Sequence, residues 1–126
     1  MLSKRNRLPL KTEFVRIRRD GKVFQGKLFS LLVVDQRLTT NNQRPKFAFI
    51  ISKKIHRRAT KRNRAKRLLS EAVRIFLPQI QGGINGVFLA RKSIIGKEFW
   101  EIKSEIERIF KKANLLKNEK TSALPN

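Results

Sequence analysis

The side chains that could do chemistry in this chain are mostly cations. Residues 53–74, Lys-Lys-Ile-His-Arg-Arg-Ala-Thr-Lys-Arg-Asn-Arg-Ala-Lys-Arg-Leu-Leu-Ser-Glu-Ala-Val-Arg, hold nine Lys and Arg before Leu68 and no acid before Glu71. Arg offers a planar fork that grips phosphate oxygens in pairs and stacks on bases, while Lys acts as a point charge. Cations of both kinds in one run ask for a polyanion, and the chemistry they support is binding rather than bond-breaking. A catalytic site of the chain's own is hard to assemble. His56 is the only histidine, Cys and Tyr are absent, and no His stands near a carboxylate in sequence. His56, set in the basic run, reads as a surface or phosphate-facing residue rather than a general base. Glu98, Glu101 and Glu105 have the residue types of a metal site. Lys97, Lys103, Arg108 and Lys111 stand at pairing distance from them or from Glu107, which favours a solvated, ion-paired face.

The element that must present the cations is a helix over residues 59–77. At about 100° per residue it gathers Ala65, Leu68, Leu69, Ala72, Val73, Ile75 and Phe76 on one arc and Arg62, Asn63, Arg64, Lys66, Arg67, Ser70 and Arg74 on the other. Arg62 and Lys66 fall nearest the apolar edge, with Arg64 and Arg67 further out. These charges do not serve the helix. Each cation in a first turn costs roughly 0.3 to 1 kcal/mol against the helix dipole, and Arg57, Arg58, Lys61 and Arg62 all stand near that end. Like-charged pairs at i, i+4, such as Arg58 with Arg62 and Arg62 with Lys66, add a few tenths of a kcal/mol more.

The whole composition points the same way. Thirty-one basic residues against nine acidic ones give a net charge of +22 in 126 residues. That length suits one domain, and 40% hydrophobic residues with nine Phe are enough for a core. Nucleic acid is the partner that best fits such a balance. An anionic membrane is the rival, but no apolar run approaches the roughly 18 residues of a spanning helix, and the first residues lack the apolar core of a secretion signal. A soluble, intracellular protein is expected, and without Cys it has neither disulfides nor thiolate zinc sites.

Residues 1–9 read as a basic, irregular arm in which Lys4, Arg5 and Arg7 could reach phosphates. A short helix follows over 11–19, with Thr12 as N-cap, Phe14 and Ile17 spaced i, i+3, and Asp20-Gly21 as the stop. Residues 23–25 and 28–35 form a β-rich region that Gly26 interrupts with a bulge or bend. Residues 28–34 are nearly all apolar, so at least one end of this strand should be buried on both faces. A loop over 37–45 separates this strand from a second long one over 46–52, and the two are expected to pair. In the second strand Phe47, Phe49 and Ile51 share one face, and Ala48, Ile50 and Ser52 the other. Pro78 ends the basic helix, residues 86–91 make another strand, and an amphipathic helix runs over 97–112 with Phe99, Ile102, Ile106, Ile109 and Phe110 on its stripe. Trp100 falls off that stripe, in a partly exposed packing role. A disordered tail is expected over 117–126. The order α-β-β-β-α-β-α makes an α+β sandwich of helices on a small mixed four-stranded sheet.

The residues then reach a family signature. Arg62-Asn63-Arg64, followed by Lys66-Arg67 and Glu71 and preceded by Ile51-Ser52-Lys53-Lys54, closely resembles that of the bacterial ribonuclease P protein component. Arg5-Asn6-Arg7-Leu8, Glu13-Phe14, Phe29 and Ala90-Arg91-Lys92 extend the resemblance in the expected order over residues 4–117. It implies a subunit of the cytoplasmic ribonucleoprotein endonuclease that removes the 5′ leader of precursor tRNA. The RNA subunit would be the catalyst and hold the Mg²⁺ ions, while the protein binds ribonuclease P RNA and lines a cleft for the single-stranded leader. On that basis Arg62, Asn63, Arg64, Lys66 and Arg67 face the catalytic RNA, Lys53, Lys54, Arg91 and Lys92 contact RNA backbone, and Phe14, Arg18 and Leu32 belong to the leader cleft. No small-molecule substrate or membrane is implied. The family fold includes a left-handed β-α-β crossover, against the right-handed default.

Two departures stand out. Many members continue Lys-Arg-x-x-Arg-Glu, whereas this chain has Ser70 before Glu71, so a cation is missing from the middle of the basic face, with Arg74 one turn on as its partial replacement. Arg18 and Leu32 stand where relatives often carry aromatics, so leader binding is expected to depend more on charge than on stacking. The other readings are a structural RNA-binding protein of ribosomal type, which composition alone does not separate from the first, and a basic DNA-binding module, which lacks the expected helix-turn-helix context.

Overall fold

The structure, a computed structural model, describes residues 2–35 and 44–117. Its elements are α1 (Leu10–Asp20), β1 (Lys22–Gln25), β2 (Phe29–Asp35), β3 (Lys46–Ile50), α2 (Ala59–Phe76), β4 (Ile84–Ala90) and α3 (Phe99–Lys112), in the order expected from the sequence. One mixed sheet takes the strands in the order β1-β2-β4-β3. The first two pairings are antiparallel and β3 runs parallel to β4. The expected pairing of β2 with β3 is therefore wrong, because β4 lies between them. Parallel neighbours must be joined by a crossover, here α2, and nothing local in the sequence announces where its returning strand inserts. This β3-α2-β4 unit is the one for which the resemblance implies a left-handed crossover.

The central strands β2 and β4 are buried on both faces, whereas β1 is largely exposed, and this explains the nearly continuous apolar run of β2. Phe29, Leu31 and Val33 point to one layer with Phe47, Ile84 and Phe88, where they meet Leu69, Val73 and Phe76 of α2 and Ile102, Ile106 and Phe110 of α3. Leu32 and Val34 point to the other with Ala48 and Val87, covered by Ile17, Leu10 and Phe14 of α1. Phe88 is the hub of the larger core, with Phe29, Phe47, Phe49 and Phe110 at centroid distances of 5.0 to 6.2 Å. Gly86 makes room for the neighbouring Phe47, since a Cβ there would meet the Phe47 ring at 2.8 Å.

Several boundaries differ from expectation for local reasons. α1 begins at Leu10 with Pro9 as its N-cap, so Thr12 stands inside the helix. Of the bulge or bend expected at Gly26, the structure shows the bend. Gly26 opens the β1–β2 hairpin turn, where its N–H donates to Phe29 O at 2.9 Å. The arm is docked rather than irregular: Leu2 and Leu8 are buried, Leu8 N donates to Phe47 O, and Asn6 Nδ2 donates to Pro45 O, both at 2.9 Å. α3 starts at Phe99 because Glu98 and Glu101 close a reciprocal capping box ahead of it. After α3, Asn114 takes a left-handed φ of 60°, and the chain turns to bury Leu115 and Leu116 against residues 79–81. Residues 37–43 of the expected loop and 118–126 of the expected tail lie outside the described residues.

Candidate nucleic-acid interface

Parallel pairing decides where the cations gather. Ile50 of β3 lies opposite Leu89 of β4, so both strands end at the same edge of the sheet and release Lys53-Lys54 and Arg91-Lys92 there. The β1–β2 turn with Lys27 is at that edge too, since Phe29 pairs with Ala90, and α2 begins shortly after Ser52–Ile55 turns the chain. Lys27, Lys53, Lys54, Arg57, Arg58, Lys61, Arg91 and Lys92 are all exposed.

α2 starts without a side-chain cap of the usual kind. Its entry is held by two residues of the basic run itself. His56 Nδ1 accepts the Arg58 N–H at 3.0 Å, and Arg62 Nη1 donates to His56 O and Arg57 O, each at 2.8 Å. His56 is thus half-buried and structural, and Arg62 is a clamp on the incoming segment. Arg64 is also half-buried, reaching Lys97 O at 3.1 Å, so it ties α2 to the approach of α3. Asn63, Lys66 and Arg67 are the members of the signature that stand further out; Lys66 is exposed, as is Arg67.

Further along, the buried arc is rotated from the one expected. Ser70 has no exposed surface, while Ile75 is 45% exposed and Leu68 only half-buried. Ser70 is therefore not a gap in the exposed face: its Oγ donates to Arg67 O at 3.0 Å. It lines a cavity of about 220 Å³ between α2, β3 and the arm, with Lys66 and Arg7 among the other lining residues. The rotation follows from packing on two sides, against α3 and against β3 with its arm. Arg74, the expected replacement, is engaged with Glu71 at 2.7 and 3.1 Å.

On the other side of the sheet, Phe14 is half-buried on α1, and the exposed Arg18 guanidinium lies 5.9 Å from its ring centroid. Leu32 is 5% exposed beneath Ile17 and Gly21, so it presents almost no surface. Arg91 donates through Nε to Gly26 O at 2.9 Å and through Nη2 to Ser30 Oγ at 3.1 Å and to Gln25 Oε1. The acids on α3 divide. Glu101 serves the capping box and lies 4.0 Å from Lys97, and Glu107 pairs with Lys111 at 3.4 Å. Glu105 departs from the expected solvated face, being 8% exposed and bound to the Lys27 N–H and Arg108. Trp100 is 67% exposed, more than a packing role provides.

A mixed sheet covered by helices on both faces, with one edge and one helix carrying cations that few acids offset, defines a small α+β RNA-binding protein. The family model of ribonuclease P matches residues 2–114. The ribonuclease P protein component of Clostridium acetobutylicum is 32% identical over 113 residues, covering 90% of this chain and 92% of its own. The Microcystis aeruginosa component is 27% identical over 111 residues, 88% and 92% of the two chains. In structure, the chain resembles RNase P protein from Thermotoga maritima, with a TM-score of 0.72 at 26% identity over 86% of this chain and 97% of that one. The Staphylococcus aureus RNase P protein shares the fold, with a TM-score of 0.77 at 20% identity over 90% and 99%. The chain belongs to the ribonuclease P protein family, and its role is in that ribonucleoprotein nuclease of tRNA processing. An RNA partner follows from that membership. Among the described residues no helix is long and apolar enough to cross a membrane.

Proposed function

We propose that the chain binds the catalytic RNA of ribonuclease P through Asn63, Lys66 and Arg67 and through Lys53, Lys54, Arg91 and Lys92. The single-stranded leader of precursor tRNA is held beside Phe14 and Arg18, and the RNA subunit hydrolyses the phosphodiester bond, all in the cytoplasm. The observation that carries this reading is the convergence of both parallel strand ends and the start of α2 at one cationic edge. Arg62 and Arg64 act there by shaping the surface, since each is bonded to backbone carbonyls. Mg²⁺ belongs to the RNA in this scheme. The protein's part is to offset phosphate repulsion and position the substrate.

Alanine at Lys53, Lys54, Lys66, Arg67, Arg91 or Lys92 tests the interface. Removing a cation that pairs with one phosphate should lower the slope of log affinity for the RNA against log salt by about 1. Unchanged slopes across the set contradict the reading. For the leader, a weak salt dependence of its affinity contradicts recognition through Arg18.

A further inference from the structure

The β1–β2 turn is a junction between α3 and the exit of β4. From one side Glu105 Oε2 accepts the Lys27 N–H and lies so close to Gly26 that a Cβ there would stand 2.5 Å from it. From the other side Arg91 N donates to Leu28 O at 2.9 Å, Ser93 Oγ to Lys27 O at 2.6 Å, and the Arg91 guanidinium to Gly26 O. The side chains of Gln25 and Ser30, which face each other across the β1–β2 ladder next to the turn, complete the cradle for the guanidinium. Arg91 thereby holds one orientation at the surface, with Nε and Nη2 committed to the turn. The turn itself is fixed by the carboxylate of a helix some eighty positions further along the chain. Arg108, at 3.0 Å, steadies that carboxylate from its own helix.

We propose that Glu105 is a positioning residue of the RNA-binding edge, acting through the β1–β2 turn to fix the Arg91 guanidinium toward an RNA phosphate. This rests on the assignment of Arg91 to RNA backbone. A buried acid on an amphipathic helix contributes nothing to binding directly, and would by its charge oppose it. Its effect reaches the RNA by pre-ordering a cation that otherwise loses side-chain freedom on binding.

The test is a double-mutant cycle read as affinity of the full chain for a bacterial ribonuclease P RNA across a salt series. Arg91→Ala should weaken binding roughly three- to tenfold and lower the salt slope by about 1. Glu105→Ala should weaken it by a similar factor, yet add nothing in the Arg91→Ala background. Glu105→Gln, which keeps an acceptor oxygen for the Lys27 N–H, should recover most of the affinity. Should the alanine variant fail to fold, Glu105→Asp, which keeps the charge and shortens its reach, takes its place in the cycle. Wild-type affinity for Glu105→Ala, or for Glu105→Asp where it stands in, or losses that multiply in the double variant, overturn the proposal while leaving Arg91 assigned. An unchanged Arg91→Ala affinity overturns the assignment of Arg91 itself, and the proposal with it.

Discussion

Arg62 and Arg67 share one helix and one signature but do different work. Arg62 closes the entry of α2 by donating to His56 O and Arg57 O, whereas Arg67 is exposed. Arg62→Ala should therefore cost about 1 kcal/mol of stability, while Arg67→Ala should stay within about 0.5 kcal/mol and show its loss in RNA affinity. Urea unfolding of both variants checks this, and equal midpoints contradict it. At Glu105 the sign of a pH effect can be worked out. Burial disfavours its charge, but the Arg108 guanidinium and the Lys27 N–H outweigh that and hold its pKa below the ordinary Glu value. The stability it contributes is then fully present above the unfolded-state value of about 4.3 and is lost as pH falls through the lower native value. Glu105→Gln should be less stable than the parent at pH 7 by about 1 kcal/mol, and the gap should close in acid. A gap that is constant with pH contradicts the account.

At the scale of elements, the arm is part of the fold. Leu8 is 6% exposed and its N–H donates to the outer edge of β3, so Leu8→Ala should destabilise the protein by about 2 to 5 kcal/mol in urea unfolding. A change under about 1 kcal/mol would mean that the arm is not docked in solution. The element order was legible because the segments carry different patterns: a period of 3.6 in residues 99–112, and short, nearly continuous apolar runs in 28–34 and 47–51 bounded by polar segments. Pairing was not, since the place of β4 between β2 and β3 depends on a crossover whose ends are far apart in the chain. The candidate site was legible only as a set of cations grouped by the signature. The division between clamps and exposed cations was not, because it depends on carbonyls at 56, 57 and 97 that no pattern of side chains reveals. Ser70 was misplaced for the related reason that a single-helix projection ignores the second surface against which α2 packs.

For the whole molecule, a charge of +22 on a chain this short makes the compact state repel itself. Anions that bind the folded cationic edge should stabilise it by mass action. Sulfate at millimolar concentration should raise the thermal midpoint more than chloride at equal ionic strength, and equal midpoints argue against specific anion sites. On the proposed division of labour the protein supplies the cationic surface and the RNA the reacting site. The most direct measurement is reconstitution with a bacterial ribonuclease P RNA and precursor tRNA at low Mg²⁺. The account predicts that the protein increases removal of the 5′ leader by the RNA and cleaves nothing alone. No increase, or cleavage by the protein without RNA, would contradict it.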